Sequence, residues 1–524
     1  MQNNIPYKIA KKTLSTTEKV GQFFMPAAFI NDTEEEIKAL ESLIEKYAIG
    51  GLCFFHSRVS AATNFEGKKK VVHNEHSFIT LQKLIKRYRK AAKYPLLISI
   101  DAEWGLAMRV ENTPQYPYAI TLGAIQNNND VLFEVGKQIA KDCKVAGIHW
   151  NLSPCVDINN NPLNPVIGYR SFGEDKYKVT EKAAAYIKGM QSEGILCSIK
   201  HFPGHGDTAT DSHLDLPLIN KTKEELLQNE LYPFQRLINE GVDAVMVGHL
   251  AVPALANNST ISSSISKDMI TGVLRKEMGF KGIVISDALN MHAVSKNYPK
   301  KGDLEWLAFN AGNDVLCFAE NTKEGIETIL KNANPKQIEE SFKRIWKLKE
   351  KIQIQNNGDQ QVQKLSNPTL LNKKIAEKSL TLLKGNEDVI AAFRTTNYCT
   401  LTIKRTTHTN TKAILKSLEI TKKEVEGEEN ILLLLTPPQI KPTDSFGLLA
   451  EEISFINELI STKNVVLYLF GNPYVLNHVK MDNAKAIVIA YQNFKEFQDV
   501  ATEHFLGNMK AVGQLPVTIN QNFQ

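Results

Sequence analysis

The chain has 524 residues, of which 43% are apolar and 23% are charged. This length predicts two to four domains, and the composition is ordinary for a soluble globular protein. The formal net charge is only +5 and no block of basic residues stands out, which argues against a nucleic-acid-binding protein. No apolar stretch is long enough to span a bilayer.

The six cysteines are scattered and form no CxxC pair, so we interpret them as buried thiols rather than as a zinc site or a disulfide framework. The first thirty residues, beginning MQNNIPYKIAKKTLSTTEKV, lack the apolar core of a signal peptide. We therefore expect a cytoplasmic protein, or a secreted or periplasmic one if a leader has been removed.

Eight short apolar runs recur through the first 320 residues, with helix-like segments between them. The runs are MPAAF (25–29), GGLCFF (50–55), LLISID (96–101), HWNLSPC (149–155), CSIKHFP (197–203), AVMVGHL (244–250), GIVISDAL (282–289) and DVLCFA (314–319). Intervening segments such as TEEEIKALESLIEKYA and KEELLQNELYPFQRLINEG have helical periodicity. This alternation predicts an α/β fold, a (β/α)8 TIM-type barrel over residues 1–350.

Ionisable residues follow several of these runs at their C-terminal ends, namely Asp101, Lys200 with His201, His249 and Asp287. In a barrel these ends converge on one face, where active sites form from the βα loops. A doubly wound open sheet is the alternative architecture, but it rarely uses so many strand ends for one site.

The composition changes at residue 351, where IQIQNNGDQQVQKLSNPT is polar and without periodicity, so we predict a linker over 351–369. A second series of strands follows: SLTLLKG, VIAAF, LTIKR, ILLLLTPP, VVLYLFGNP and AIVIAYQN. Helical stretches such as FGLLAEEISFINELIS alternate with them. Residues 370–524 therefore predict a smaller α/β sandwich domain with its own core.

The loop IKHFPGHGDTATDSH (199–213) concentrates titratable groups after the fifth run. Its possible metal ligands are His201, His205, Asp207, Asp211 and His213. Their spacing matches no common zinc site, and neither an HExxH helix nor a cysteine cluster supports one. We therefore expect no metal and no cofactor, and favour proton chemistry on a bound substrate.

Asp211 and His213 are two residues apart, so in an extended segment their side chains point the same way. A carboxylate beside an imidazole fixes its tautomer and stabilises the imidazolium, which suits a group that donates and recovers a proton near neutral pH. The chain has no GxSxG elbow, and Ser212 would face the opposite way, which disfavours a serine hydrolase.

Asp287 ends the near-continuous apolar strand in KGIVISDALNM. A carboxylate at that position could attack an anomeric carbon and form a covalent glycosyl intermediate. The alternative is that Asp287 only caps the following helix.

KHFPGHGDTATDSH together with ISDAL resembles family 3 glycoside hydrolases, specifically their β-N-acetylglucosaminidase branch. NPVIGYRSFGED (164–175) is similar to the arginine-bearing loop of that family. KSLTLLKGNE, FGNPYVL and GQLPVTI look like the second domain of its two-domain members. The resemblance covers nearly the whole chain.

The resemblance implies a role for each matching residue. Asp287 matches the catalytic nucleophile, and His213 matches the acid/base on a mobile loop, with Asp211 as its partner. The residues that match groups holding the sugar hydroxyls in the −1 subsite are Asp101, Arg170, Lys200 and His201.

Other positions match less closely. His205 and Asp207 would mainly shape the loop, and His249 would support the site. Many relatives read DxEGGxV where this chain has DAEWGLAMRV, so Trp104 replaces a glycine and is either a sugar-stacking platform or, as we favour, a packing residue.

The function implied is hydrolysis of terminal, non-reducing β-linked N-acetylglucosamine, with muropeptides or cell-wall fragments as the expected substrates in peptidoglycan recycling. A neutral imidazole repels an anion less than a carboxylate does, so a phosphorylase is the first alternative. A β-glucosidase is disfavoured because such relatives take the acid/base from the second domain. A non-catalytic sugar-binding protein would not need Asp287, Asp211 and His213 together. We expect a small carbohydrate as partner, with no nucleic acid and no membrane span.

Overall fold

The structure is a computed structural model that describes residues 5–58, 73–208, 216–356, 364–405 and 411–519. Within these ranges the chain forms two compact units. The first unit draws on residues 1–116, 132–158 and 183–367, and the second on 117–131, 159–182 and 368–524. Each unit therefore joins segments that are distant in sequence.

The first unit is built around a closed barrel of parallel strands. Its strands are β1 (Phe24–Met25), β2 (Ala27–Phe29), β3 (Gly51–Phe55), β4 (Leu97–Ile100), β5 (Trp150–Asn151), β6 (Leu196–Phe202), β7 (Ala244–Val247), β8 (Ile283–Ser286) and β9 (Leu316–Cys317). β2 to β8 form one parallel sheet in chain order. The sheet closes because β1, which continues into β2 after Pro26, pairs with β9, and Ile285 bridges Val315 just before β9. The prediction of a TIM-type barrel is confirmed, and all eight apolar runs contribute a strand.

The barrel strands are buried along their length, as in the sequences LISI of β4, LCSIKHF of β6 and IVIS of β8. Parallel strands covered by helices need near-continuous apolar sequence rather than alternation. This requirement explains why near-continuous apolar runs in the sequence predicted the strands.

Helices connect the strands. Those described up to residue 356 are Tyr7–Thr13, Thr16–Gly21, Glu34–Tyr47, Ser77–Ala91, Ala119–Gly123, Asn129–Ala146, Lys176–Ser192, Lys223–Gln228, Tyr232–Asn239, Asp268–Glu277 (of π type), His292–Ser295, Asp303–Ala311, Thr322–Asn332 and Pro335–Asn356. The helix that begins at Glu34 starts with a capping box, in which Thr33 Oγ1 accepts from the N–H of Glu36 and Glu36 Oε2 accepts from the N–H of Thr33. This pairing fixes where the first long helix begins.

Two helix boundaries differ from the simplest sequence reading. The single helical pattern after residue 222 is two helices, Lys223–Gln228 and Tyr232–Asn239, and Pro233 lies in the first turn of the second. Proline lacks an N–H and is tolerated only near a helix start, so it favours a new helix there. Farther along, the helix that ends at Asn356 covers the first six residues of the predicted linker.

The second unit contains a mixed five-stranded sheet. Its strands are β10 (Thr381–Lys384), β11 (Cys399–Lys404), β12 (Asn430–Thr436), β13 (Asn464–Leu469) and β14 (Ala486–Ile489), in the order β10-β14-β13-β12-β11. Only β10 is antiparallel to its neighbour among the described pairs. The helices of this part of the chain are Thr369–Ser379, Glu387–Arg394, Thr411–Glu424, Ala450–Thr462 and Lys495–Leu506. The predicted α/β sandwich is confirmed.

One predicted strand of this unit is wrong. VIAAF lies within the helix Glu387–Arg394. Asn386 caps this helix, because its Oδ1 accepts from the N–H of Val389 at 2.9 Å. Ile390 and Phe393, three residues apart, are the buried positions, which is helical rather than strand spacing.

Among the residues that the structure covers, no helix combines the length and the apolarity needed to cross a bilayer.

Candidate active site

Ionisable side chains gather at the C-terminal rim of the barrel. Asp101 follows β4, Lys200 and His201 belong to the last residues of β6, and Asp287 follows β8. The carboxyl ends of parallel barrel strands meet on one face, so these side chains come together there as the sequence predicted. Direct contacts and shared electrostatic effects among them confirm this proximity.

Lys200 forms the centre of a buried ion-pair network. Its Nζ lies 2.7 Å from Asp101 Oδ1 and 2.8 Å from Glu103 Oε1. Asp101 also accepts from Arg109 Nη2 at 3.0 Å. Burial alone raises the pKa of Asp101, but the charges of Lys200 and Arg109 outweigh this effect and lower the pKa. The rim therefore holds fixed charges of both signs that can bind a polar ligand.

His201 is held by the buried carboxylate of Asp157. Its ring Nδ1 lies 2.8 Å from Asp157 Oδ2, and its backbone N–H donates to the same carboxylate. The backbone N–H of His205 donates to Asp157 Oδ1 at 2.7 Å. Burial alone raises the pKa of Asp157, but the imidazoles of His201 and His205 hold it well below its usual range. The ionised carboxylate thus fixes the His201 ring and the start of the following loop.

The loop after β6 is folded tightly against its neighbours. A Cβ on Gly206 would lie 1.6 Å from the carbonyl oxygen of Ile158, so only glycine fits there. Asp207 lies farther along and forms an ion pair with Lys221 at 2.7 Å. The predicted dyad, Asp211 and His213, lies outside the described residues.

Asp287 is partly buried, and its Oδ1 accepts from the N–H of Ala288 at 2.8 Å. Burial alone raises the pKa of Asp287, but His249, His201, this hydrogen bond and Lys200 together lower it to about 2. The carboxylate is therefore ionised at neutral pH, which is the state that a carboxylate nucleophile needs.

His249 lies two residues after β7 and is completely buried. Its Nε2 lies 2.9 Å from the carbonyl oxygen of Ala288, and its Nδ1 lies 2.8 Å from Ser264 Oγ. The imidazole therefore connects the short helical turn Ser263–Ile265 to the residue that follows Asp287.

With this geometry established, comparison with known proteins identifies the family. The model of the glycosyl hydrolase family 3 N-terminal domain matches residues 15–348. The chain belongs to glycosyl hydrolase family 3. The matched range includes every predicted catalytic and sugar-binding residue.

Two curated relatives of this family 3 chain carry the name beta-hexosaminidase. Beta-hexosaminidase A of Pseudoalteromonas piscicida is 31% identical over 346 residues, which are 60% of this chain and 55% of that protein. The beta-hexosaminidase of Tolumonas auensis is 36% identical over 49% of this chain and 76% of its own length. The match thus spans about half of the first relative.

Two solved structures share the fold over nearly the whole family 3 chain. A glycoside hydrolase family 3 beta-N-acetylglucosaminidase from a Paenibacillus species has a TM-score of 0.78 at 24% identity, and the similarity covers 97% of this chain and 100% of that one. A beta-glucoside phosphorylase has a TM-score of 0.79 at 19% identity over 100% of this chain and 98% of the other. At such identities the likeness concerns the fold.

Arg170, the remaining predicted binding residue of this family 3 chain, belongs to the second unit. It ends the helical turn Gly168–Arg170. The turn is preceded by Asn164, whose Oδ1 accepts from the N–H groups of Val166 and Ile167 at 2.9 and 2.8 Å. These side chain to backbone bonds shape the loop that presents the arginine.

Arg109 and Asp157 are among the rim residues that sequence reasoning missed. Arg109 donates to Asp101, and its guanidinium lies 5.3 Å from the centre of the Phe55 ring. Asp157 fixes His201 and the loop after β6. Arg109 lies eight residues after Asp101, within the quoted DAEWGLAMRV motif, which is a local signal that could have found it. Asp157 has no such signal, because the two histidines that it holds, His201 and His205, are more than forty residues away.

One group of side chains in the covered ranges has the composition of a metal site. Cys155, Asp157 and His201 place ligand-type atoms within 4.8 Å of one another. However, Asp157 already accepts from Cys155 Sγ at 3.0 Å, in addition to its bonds with His201 and His205. A cation there would have to replace hydrogen bonds that shape the rim, so we interpret the group as a hydrogen-bonded network.

Proposed function

We propose that this family 3 protein is a retaining β-N-acetylglucosaminidase, which releases terminal non-reducing N-acetylglucosamine from β-linked substrates. The names of the curated relatives support this activity. The observation that carries the proposal is an ionised Asp287 at the barrel rim, beside the basic side chains of Lys200 and His201.

In the first proposed step, an Asp287 oxygen attacks the anomeric carbon and forms a glycosyl ester while the bond to the leaving oxygen breaks. His213, stabilised as an imidazolium by Asp211, gives its proton to that leaving oxygen. In the second step water attacks the same carbon, His213 takes a proton from the water, and Asp287 leaves as a carboxylate. Two inversions at one carbon retain the anomeric configuration.

The proposed −1 subsite uses groups that are already held in place. Asp101, Lys200 and His201 bind the sugar hydroxyls in this proposal, and Arg170 keeps the sugar-binding role that the resemblance implies. Lys200 is fixed between two carboxylates, and His201 is fixed by Asp157. Donors and acceptors that are oriented before the substrate arrives lose little free energy to reorganisation during the reaction.

The direct test is to replace Asp287 by alanine and measure turnover of an aryl N-acetylglucosaminide. We expect kcat to fall by at least about 10³-fold, since the variant lacks the carboxylate that forms the glycosyl ester. The matched control is Asp130→Ala, an exposed aspartate at the start of a helix, which should keep wild-type kcat. An Asp287→Ala variant that folds and keeps parental activity would refute the assignment.

For the substrate we propose cell-wall muropeptides, as expected for peptidoglycan recycling. The test compares muropeptides, chitobiose and an aryl glycoside at equal concentration, with and without inorganic phosphate. Muropeptides should have the highest kcat/KM, and free N-acetylglucosamine should be the product in both buffers. Formation of a sugar 1-phosphate would make the protein a phosphorylase instead, and faster chitobiose cleavage would remove the muropeptide proposal.

A further inference from the structure

The turn that carries Asp287 is held from two neighbouring strand ends. The N–H of Asp287 donates to the carbonyl oxygen of Val247 at 2.9 Å, and the N–H of Leu289 donates to that of Cys317 at 3.0 Å. Between these two anchors, the carbonyl oxygen of Ala288 is bound by the buried His249. The Ala288–Leu289 peptide group is therefore held at its carbonyl by one side chain, His249, and at its N–H by the Cys317 carbonyl.

The partners of His249 determine which ring nitrogen carries a proton. A carbonyl oxygen only accepts, so Nε2 must carry the hydrogen that is shared with Ala288. The other ring nitrogen, Nδ1, lies 2.8 Å from the Ser264 hydroxyl oxygen. Ser264 Oγ also lies 3.1 Å from Ser262 Oγ, and both serines are buried. Ser264 therefore holds the imidazole at Nδ1 while Nε2 binds the carbonyl.

We propose that His249 is a positioning residue for the nucleophile: through the Ala288 carbonyl it holds the carboxylate of Asp287 in the orientation required for attack, and Ser264 holds the imidazole at its other nitrogen. This inference rests on the proposed function, because it assigns a task to His249 only if Asp287 is the nucleophile. It extends the sequence prediction, in which His249 only supports the site.

Electrostatics gives a second reason for this assignment. Among the groups that oppose the effect of burial on Asp287, His249 is the foremost, followed by His201. Among the described residues, the other ionisable groups that interact with this carboxylate are His201 and Lys200 of β6 and Cys317 of β9. Loss of His249 should therefore raise the pKa of Asp287 as well as release its turn.

The test compares two substitutions of His249, by glutamine and by asparagine. The side-chain amide of each can reproduce one of the two hydrogen bonds of the imidazole. In His249→Gln the amide N–H can still reach the Ala288 carbonyl, whereas in His249→Asn the shorter amide reaches only toward Ser264. We expect kcat for an activated aryl N-acetylglucosaminide to fall roughly 10²-fold in the Asn variant, with KM changed less than about threefold, because a misplaced nucleophile affects the chemical step. The Gln variant should recover at least about tenfold of that loss.

Two serine variants complete the comparison. Ser264→Ala removes the hydroxyl that holds the imidazole at Nδ1 and should lower kcat several-fold. Ser262→Ala removes a buried hydroxyl that contacts Ser264 but has no bond to the imidazole, so it should stay close to wild type. The acid limb of kcat/KM should move to higher pH in the Asn variant, an effect that a purely structural residue would not produce.

Equal losses in the Gln and Asn variants, or losses confined to KM, would overturn the inference. Thermal unfolding of each variant shows whether it is folded at the assay temperature. Asp287→Ala is measured in parallel to separate the two claims. If Asp287→Ala is inactive and both His249 variants resemble wild type, only the positioning role fails; if Asp287→Ala is active, the proposed function fails.

Discussion

At the barrel rim, Asp287 keeps its negative charge although it is partly buried. Burial disfavours a charged carboxylate, whereas the neighbouring His249, His201 and Lys200 favour it, and the balance lowers its pKa to about 2. With this pKa, the carboxyl group of Asp287 is ionised throughout the pH range in which enzymes commonly work. The nucleophile therefore needs no base to activate it.

This balance predicts the pH dependence of the first chemical step. A depressed pKa means that the charge of Asp287 is present above about pH 3 and is lost only as the pH falls toward 2. With an aryl glycoside that leaves without a proton, kcat/KM should show no acid limb in the ordinary carboxyl range of pH 4–5. The measurement is a kcat/KM profile from pH 4 to pH 8. A limb centred near pH 4 would contradict the charge balance described here.

Several residues of the barrel rim could be predicted from the sequence alone. Asp101, Lys200, His201 and Asp287 were predicted because each follows an apolar run, and the barrel brings strand ends together. Asp157 was not predicted, because its role depends on accepting hydrogen bonds from the end of β6 and from the loop that follows it. Such a partner is set by the three-dimensional fold and has no sequence period of its own.

At the level of helices and strands, the buried carboxylate of Asp314 connects β8 to two helices. Asp314 accepts from Arg275 Nη2 at 2.5 Å and from Arg344 Nε at 2.9 Å. It also accepts from the backbone N–H of Val284 in β8 at 3.0 Å. The helices Asp268–Glu277 and Pro335–Asn356 are thus tied to the strand that carries the nucleophile.

Replacing Asp314 by alanine should lower the free energy of unfolding by about 3–5 kcal/mol, because two partly buried guanidinium groups lose their carboxylate partner. Urea or thermal unfolding measures the change. Asp303→Ala is the matched control, since Asp303 pairs with the exposed Lys300 and its loss should cost less than about 1 kcal/mol. Equal losses in the two variants would show that the buried network contributes little.

The segment VIAAF was wrongly predicted as a strand because of its length and composition. VIAAF is apolar and short, and a buried helix segment of that length cannot be distinguished from a strand by periodicity. The deciding feature is Asn386, whose side chain caps the helix that contains these residues. Attention to the preceding Asn-Glu-Asp would have favoured a helix start.

At the scale of the whole molecule, the two units share the chain in an interleaved way. Segments 117–131 and 159–182 belong to the second unit. Within that unit, Gln492 Nε2 donates to Thr121 Oγ1 at 2.7 Å, and Asn159 Nδ2 donates to the Tyr474 hydroxyl at 3.0 Å. Composition marks a linker between consecutive domains, but it carries no sign of loops that leave one unit to join another.

The whole chain also provides the most direct test of the proposed nucleophile, because it contains 57 aspartates and glutamates of which one should react. A 5-fluoro N-acetylglucosaminyl fluoride, whose electron-poor ring slows hydrolysis of a glycosyl ester, should trap the intermediate. Mass spectrometry of the intact protein, followed by peptide mapping, should find one sugar per chain on Asp287. A label on any other residue, or turnover of the reagent by Asp287→Ala, would contradict the account.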